Sequence, residues 1–216
     1  MSIGIISEGI TDQVVITNLI YGYFNSIDID IEPLQPKDKE PFGWANVLKY
    51  CGTNDFKEAF NWNDYIIIQI DTDKHADWKK YGNIPNVTSK DVKTIEKQID
   101  RVVEIFIEII GDDFYKEHNE KIIFAISVET IECWILPFYA RRDAHSGKIV
   151  NCLHTLNREY VNPKFGFTID PNRKAYDNSR YYDTVTNPMK NNRKLRKHQS
   201  QNPSLKIFID NLNKIK

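Results

Sequence analysis

The sequence has few cysteines, almost no net charge and no long apolar run. Its 216 residues include 3 cysteines, and 29 basic residues nearly balance 30 acidic ones. No segment approaches the ~20 apolar residues that span a bilayer, and no signal-like apolar segment follows a basic stretch. We therefore expect a cytoplasmic protein without a membrane partner. The charge balance argues against a protein that coats nucleic acid indiscriminately.

Several motifs of known chemistry are also absent. Cys51, Cys133 and Cys152 are scattered and lack the paired spacing of a zinc site. They are predicted to be reduced, mostly buried thiols. The sequence contains no Walker loop and no Gly-x-Gly-x-x-Gly, and it has no Gly-x-Ser-x-Gly elbow. Nucleotide binding through those loops and serine-hydrolase chemistry are therefore not expected.

Residues 65–73 carry the most informative pattern. Four isoleucines in five residues precede Asp71 and Asp73, which predicts a strand of a parallel sheet that is buried on both faces. The carboxyl ends of such strands form the functional crevice of open α/β sheets, and paired carboxylates suit a hard cation such as Mg²⁺. The alternative is that Asp-x-Asp only begins a turn. The Asp-x-Asp of haloacid-dehalogenase phosphatases follows the first strand, whereas this one follows the third.

Two further acidic positions follow apolar runs. Glu8 follows residues 3–7 and precedes a helix predicted over residues 11–24, with Thr11 as its cap and Asp12 placed to suit the helix dipole. Glu129 and Glu132 follow residues 122–127, and their spacing predicts one face of a helix. The helix dipole alone is an alternative explanation for that pair.

These motifs together resemble a known family. Glu8-Gly9-x-Thr11-Asp12 followed by Asp71-x-Asp73 resembles the topoisomerase-primase (Toprim) domain. The segment 126–136, with its paired glutamates and a tryptophan, is similar to small bacterial Toprim-like proteins related to overcoming-lysogenization-defect nucleases. The similarity covers roughly residues 1–140.

The resemblance implies a metal-dependent nuclease. It would hydrolyse phosphodiester bonds of DNA, or alternatively RNA, in bacterial defence against phage or mobile DNA, with an ATPase as a candidate partner. The implied catalytic residues are Glu8, Asp71 and Asp73. The implied ligands of Mg²⁺ or Mn²⁺ are Glu8, Asp71, Asp73, Glu129 and Glu132. The alternative is a catalytically weak Toprim-fold subunit that binds or senses within a larger complex.

The fold expected is α/β, a Toprim-like Rossmannoid with a central, mostly parallel four-stranded sheet flanked by helices. Strands are predicted at residues 3–7, 27–34, 65–71 and 122–127, the second near an edge. A long amphipathic helix over residues 88–110 would be capped by Thr88 or Ser89. Residues 1–140 form the predicted catalytic domain. Residues 141–216 form an extension, irregular and then helical, packed on the same domain.

Two basic segments are candidate contacts for nucleic acid. The loop after Asp73 offers Lys74, Trp78 and Lys79, because a tryptophan beside lysines suits an unstacked base. The second segment is separated in sequence from the acids and contains Arg193, Lys194, Arg196 and Lys197. Lysine and arginine side chains there would contact phosphates without selecting a base sequence. The alternative is a solvated helix face without a partner.

Overall fold

One parallel sheet forms the centre of the protein. A computed structural model describes residues 1–37, 41–87, 91–140, 145, 147–172 and 175–215, without the side chains of 175 and 176. Within them the strands are β1 (Ser2–Ile6), β2 (Asp30–Gln35), β3 (Tyr65–Asp71) and β4 (Ile122–Ser127). Their order is β2-β1-β3-β4 and every pair is parallel. The predicted α/β fold with an edge position for β2 is confirmed.

Helices cover both faces of this sheet. In the first half they are α1 (Ile10–Phe24), α2 (Trp44–Cys51), α3 (Asn54–Glu58), α4 (Val92–Ile110) and α5 (Asp112–His118). In the second half they are α6 (Glu132–Ile135), α7 (Cys152–Leu156), α8 (Asn162–Phe165), α9 (Ala175–Thr186), α10 (Asn192–His198) and α11 (Pro203–Asn211). Short 3₁₀ turns include His75–Asp77, Lys79–Tyr81, Leu136–Phe138 and Asn187–Lys190.

The alternating side chains of the strands divide the core in two. Ile5 and Ile67 face a cluster with α1, α6, α7 and α9 to α11, whereas Ile66 and Ile68 face a cluster with α2 and α4. All four isoleucines are fully buried. This two-sided burial follows from the period of 2 in a strand and explains the nearly continuous apolar run in β3.

Two predicted helix caps differ from the structure. Helix α1 begins at Ile10, with Gly9 as its N-cap, so Thr11 lies inside the first turn and does not cap it. Helix α4 begins at Val92, where the Asp91 side chain accepts a 2.9 Å hydrogen bond from Thr94 N–H. Thr88 and Ser89, the predicted caps, lie outside the described residues. The helices themselves follow the predicted apolar spacing.

The C-terminal part packs on the same core as the sheet. Helices α9 and α10 contact α1, and α11 contacts β4. Gly22 of α1 lies against the 3₁₀ turn Asn187–Lys190, so closely that an added Cβ would be 1.9 Å from the carbonyl oxygen of Met189. The predicted helical extension is confirmed, although residues 157–188, predicted to have no sustained period, contain α8 and α9. The predicted boundary falls at residues 140–141, next to residues that the structure does not describe.

The cysteine prediction is wrong for two of the three residues. Cys133 and Cys152 form a disulfide with their Cα atoms 5.0 Å apart, whereas Cys51 is a free, buried thiol. The pair meets because α6 and α7 pack against each other. Sequence spacing could not indicate this, since the two positions are 19 residues apart. Burial of all three side chains agrees with the prediction.

In the part of the chain that the structure describes, no helix is long and apolar enough to cross a membrane.

Candidate functional site

The predicted acids of the first and third strands meet at the carboxyl edge of the sheet. Strands β1 and β3 are hydrogen-bonded neighbours, so the residues that follow them emerge side by side. Asp71 N–H donates a 2.8 Å hydrogen bond to Oε1 of Glu8. Gln69 Oε1 in turn accepts from Glu8 N–H at 3.2 Å. The predicted convergence of Glu8 with Asp71 is confirmed.

The carboxylate of Asp71 is enclosed by protein donors. Gln69 Nε2 donates to its Oδ1 at 2.8 Å, and Ile131 N–H donates to its Oδ2 at 3.3 Å. Burial, followed by the charges of Asp12, Glu8, Glu132 and Asp73, raises the pKa of Asp71 well above its usual value. Each carboxylate oxygen retains further acceptor capacity beyond one hydrogen bond. Asp71 is therefore held in place and still has lone pairs to offer.

Glu8 and Asp73 lie nearer to solvent. Burial raises the pKa of Glu8 to about 7; the charge of Asp73 adds to the rise, and backbone N–H groups of Asp71 and Trp44 oppose it. Burial also raises the pKa of Asp73, against the opposing charge of Lys74. The ammonium group of Lys74 lies 3.8 Å from Asp73 Oδ2, and the side chain of Lys74 is 61% exposed. A carboxyl with a pKa near 7 suits proton transfer at neutral pH.

Asp12 is a member of this cluster that the sequence prediction assigned to the helix dipole alone. It lies in the first turn of α1 and is 8% exposed. Burial and the charges of Glu8 and Glu132 raise its pKa, while backbone N–H groups of Asp12 and Gly9 act in the opposite direction. Gly9 leaves room for its carboxylate, since a Cβ there would lie 3.1 Å from Asp12 Oδ2. The spacing Glu8-x-x-x-Asp12 across a strand-to-helix loop was the signal that could have identified it.

The two predicted glutamates after β4 do not share a helix face. Glu132 is the first residue of α6, whereas Glu129 lies before the helix with φ of 65°. The prediction of one helix is therefore wrong. Glu132 accepts a short hydrogen bond from the hydroxyl of Tyr182 in α9. Burial, and after it the charge of Asp73, raises the pKa of Glu129. Glu129 therefore adds its charge to the more exposed side of the site, where Asp73 lies.

Thr72 holds the loops after β3 and β4 together. Its backbone N–H donates to the carbonyl oxygens of Ser127 and Glu129, each at 3.0 Å. Its hydroxyl accepts from Glu129 N–H at 2.9 Å and donates to Gln98 Oε1 of α4 at 3.2 Å. These bonds explain how Glu129 is kept in a left-handed backbone conformation that costs energy for a residue with a side chain.

The donor set suits a hard cation, although the side chains do not form a closed cage. Carboxylate oxygens are the ligands that Mg²⁺ prefers. After burial, the charges of Glu8, Asp12, Asp73 and Glu132 all raise the pKa of Asp71. Among the described residues, no three His, Cys, Asp or Glu side chains are arranged to hold one ion. Mg²⁺ commonly uses one or two protein carboxylates together with waters and substrate phosphate.

The loop after Asp73 differs from the prediction at its tryptophan. Trp78 is 1% exposed and its ring packs against Trp44 at 5.8 Å, so it cannot stack on a base from solvent. The prediction that Trp78 contacts nucleic acid is wrong, because the two 3₁₀ turns of the loop direct this side chain into the core. Lys74 and Lys79 are exposed, as a contact with phosphate requires.

The predicted basic segment forms α10, in which Arg193, Lys194, Arg196 and Lys197 are exposed. Asn192 anchors this helix by donating to the carbonyl oxygens of Gly22 and Tyr23 at 2.8 and 3.0 Å. Gly22 lies ten residues beyond Asp12, which is about 15 Å along the α1 axis. The basic helix therefore packs at the end of α1 that lies away from the acidic cluster.

No protein-family model matches this chain, and no curated protein or solved structure matches it significantly. The resemblance to Toprim domains therefore stays a prediction that rests on the motifs around Glu8, Asp71 and Glu129.

Proposed function

We propose that this protein is a Mg²⁺- or Mn²⁺-dependent nuclease that hydrolyses phosphodiester bonds of DNA, with RNA as the alternative substrate. The observation that carries the proposal is the convergence of Glu8, Asp71 and Asp73 with Asp12 and Glu132 at one edge of a parallel sheet. Burial, and after it the charge of neighbouring acids, raises the pKa of these carboxyl groups, and a divalent cation would relieve their repulsion. Ligand sites of open α/β sheets lie at this edge.

The residues divide into roles by their exposure and hydrogen bonds. Asp71, Asp73 and Glu8 would hold the first ion, with Asp12 and Glu132 nearby, and Glu129 together with Glu132 would serve a second position. When bound, the metal lowers the pKa of a coordinated water and stabilises charge on the phosphate. Glu8 suits a general acid or base because its pKa is about 7. Ser127 of β4 is the neighbour of Asp71 across the sheet. Its hydroxyl is buried and has no hydrogen-bond partner in the described chain.

The biological setting is proposed from the family resemblance alone. It comprises a cytoplasmic location, defence against phage or mobile DNA, and an ATPase as partner. The disulfide between Cys133 and Cys152 is an argument against the proposed location, because disulfides are rare in the reducing cytosol.

Cleavage by the purified chain tests the enzymatic proposal. Supercoiled and linear DNA and single-stranded RNA are incubated with Mg²⁺ or Mn²⁺, in parallel with EDTA. We expect cleavage that EDTA abolishes and that Asp71→Asn reduces by at least about 1,000-fold, since this substitution removes a ligand and its charge. Asp112→Asn, an exposed acid on α5, serves as the control and should cut normally. Equal cleavage by the parent and Asp71→Asn would overturn the assignment.

A binding or sensing subunit is the second candidate function. It is favoured by the hydrogen bonds that already occupy both oxygens of Asp71 and by the absence, among described residues, of three side chains arranged around one ion. This candidate predicts metal-independent binding of nucleic acid and no cleavage with either metal, whether or not an ATPase partner is added. Metal-dependent cleavage that disappears in Asp71→Asn would exclude it.

A further inference from the structure

A cavity lies between the C-terminal helices, and none of the acids of the cluster lines it. We name it the lysine pocket; it is lined by Lys164, Lys190, Lys194, Tyr139, Phe165 and Asn187, and its volume is about 470 Å³. This volume falls within the range typical of small-molecule sites. No aspartate or glutamate of the described chain lines it. Three cations around one cavity, in a chain of net charge −1, indicate that an anion fits there.

The three lysines differ in their surroundings. Lys190 is partly neutralised by Asp183, whose Oδ1 lies 2.9 Å from its ammonium group. Lys164 and Lys194 are exposed and have no carboxylate within ion-pair distance in the part of the chain that is described. The Lys164 ammonium lies 4.9 Å from the ring centroids of both Tyr139 and Phe165, which fixes its position at the cavity. Two ammonium groups therefore remain free to bind an anion.

Aromatic rings and amides complete the lining. Tyr139 and Phe165 are half-buried, and the Tyr139 hydroxyl is held by a 2.5 Å hydrogen bond to the carbonyl oxygen of Val185. Asn187 adds an amide that can donate or accept. Phosphate binds lysine ammonium groups, and a nucleobase binds aromatic rings and amides. We propose that the lysine pocket binds a nucleotide, with its phosphate at Lys164 and Lys194 and its base towards Tyr139 and Phe165.

The path of the chain links this pocket to the acidic cluster. Glu132 begins α6, and Tyr139 follows one turn of α-helix and one of 3₁₀-helix later, a rise of about 12 Å. On α9, Tyr182 bonds to Glu132 while Thr184 lines the pocket. A duplex strand advances about 3.4 Å per nucleotide, so the separation equals about three to four nucleotides. The strand as source of the nucleotide rests on the proposed function; the pocket itself does not.

Binding without metal tests the pocket separately from cleavage. Fluorescein-labelled dT₁₂ is titrated with protein in EDTA and followed by anisotropy, and unlabelled dT₁₂, AMP and inorganic phosphate are used as competitors. We expect Lys164→Gln/Lys194→Gln to weaken binding about 10-fold or more, since the variant cannot form two charge-assisted hydrogen bonds to phosphate. The matched control is Lys93→Gln/Lys116→Gln, which removes the same charge from exposed positions on α4 and α5 and should bind as the parent does.

A ring variant tests the base contact. Phe165→Leu keeps an apolar side chain, and we expect it to weaken dT₁₂ and AMP several-fold while competition by inorganic phosphate stays unchanged. If AMP binds in the pocket and dT₁₂ does not, the nucleotide comes from solution and the site stands. If the double variant and its control weaken binding equally, or if neither dT₁₂ nor AMP binds the parent, the pocket is not a nucleotide site. Thermal melting of each variant confirms that it is folded.

Discussion

The backbone N–H of Asp71 donates its hydrogen bond to the carboxylate of Glu8, so an acid at the end of β3 fixes the position of an acid at the end of β1. The bond favours the ionised form of Glu8, whereas burial and the nearby charge of Asp73 favour the protonated form. Protonation or a bound cation would each relieve this conflict. The stability of the metal-free protein should therefore depend on the charges of these carboxylates.

Replacement of Asp71 should not destabilise the metal-free protein. Asp71→Asn removes a buried charge that its acidic neighbours disfavour, and it keeps one oxygen to accept from Gln69 or Ile131. We expect the melting temperature in EDTA at pH 7.5 to be unchanged or higher, at about 2–4 °C for each kcal/mol gained. Calorimetry in EDTA measures this change. A fall of several degrees would mean that the hydrogen bonds of Asp71 outweigh the repulsion.

The metal-free protein should lose stability as the pH rises towards neutrality. The pKa of Glu8 rises from 4.5 to about 7 on folding, so the folded chain binds this proton more tightly than the unfolded chain. The stability that Glu8 contributes through this proton is fully present below pH 4.5 and is lost as the pH rises through about 7. The contribution amounts to about 3 kcal/mol at most.

Urea unfolding of Glu8→Gln at pH 5 and pH 7.5 isolates that contribution. The decrease in stability between the two pH values should be smaller in Glu8→Gln than in the parent. Glu117→Gln, at an exposed position on α5, is the control and should keep the decrease of the parent. An identical pH dependence in Glu8→Gln and the parent would show that Glu8 is not the group responsible.

Tyr182 is expected to position Glu132 without taking part in the chemistry. It is 4% exposed and donates its hydroxyl hydrogen to Glu132. Groups that orient a metal ligand typically change metal affinity or activity by 10 to 100-fold when removed. We expect Tyr182→Phe to raise the Mg²⁺ concentration for half-maximal cleavage by about 10-fold, and to cost about 1 kcal/mol of stability.

Metal titration of cleavage distinguishes this role from a purely structural one. Tyr115 is a half-buried tyrosine on α5. Tyr115→Phe is therefore the control and should leave the Mg²⁺ requirement unchanged. If Tyr182→Phe lowers the melting temperature but requires the same Mg²⁺ concentration as the parent, its hydrogen bond serves the fold alone.

The basic helix α10 should contribute affinity for nucleic acid without base selection. The variant neutralises Arg193, Lys194, Arg196 and Lys197 by substitution with glutamine. We expect weaker binding for all duplex sequences, and a plot of log affinity against log salt that is shallower by up to about 0.9 for each phosphate that the variant no longer neutralises. Metal affinity should stay the same, because α10 packs against the far end of α1.

The control for α10 removes the same number of charges elsewhere. It replaces exposed lysines on and beside α4 and α5, namely Lys93, Lys97, Lys116 and Lys121. Anisotropy at several salt concentrations compares the two variants. Equal salt slopes in the parent and the α10 variant would identify the helix as a solvated surface. This result would also argue against Lys194 as a phosphate contact of the lysine pocket, and it would leave Lys74 and Lys79 as the candidate phosphate contacts beside the acidic cluster.

Local patterns predicted the sheet and part of the acidic cluster. The apolar run of β3 indicated a strand buried on both faces, and the carboxyl edge of a parallel sheet then placed Asp71 beside Glu8. Asp12 was missed because a helix dipole already explained an acid in a first turn. The charge of Glu8, four residues earlier, contributes more to the raised pKa of Asp12 than that of Glu132, which lies 120 residues later in the chain and belongs to no local pattern.

Other features depended on tertiary packing that composition does not reveal. Trp78 lies among lysines in sequence and yet is buried against Trp44. Helix α9 has a polar composition, and its burial comes from contacts with α1. Cys133 and Cys152 become partners only when α6 and α7 pack together. In each case a long-range contact outweighed the local preference.

Position 129 has to satisfy two requirements, a left-handed backbone conformation and a carboxylate. Residues found there in related proteins would show which of the two is maintained. Glycine or asparagine at this position would keep the loop and remove the strain, but each would discard the carboxylate. Valine or isoleucine would discard the carboxylate and also disfavour the loop, because branched side chains tolerate this conformation poorly. In a set of diverging homologues, glycine or asparagine here would show that the loop alone is maintained, and persistent glutamate would show selection for its charge.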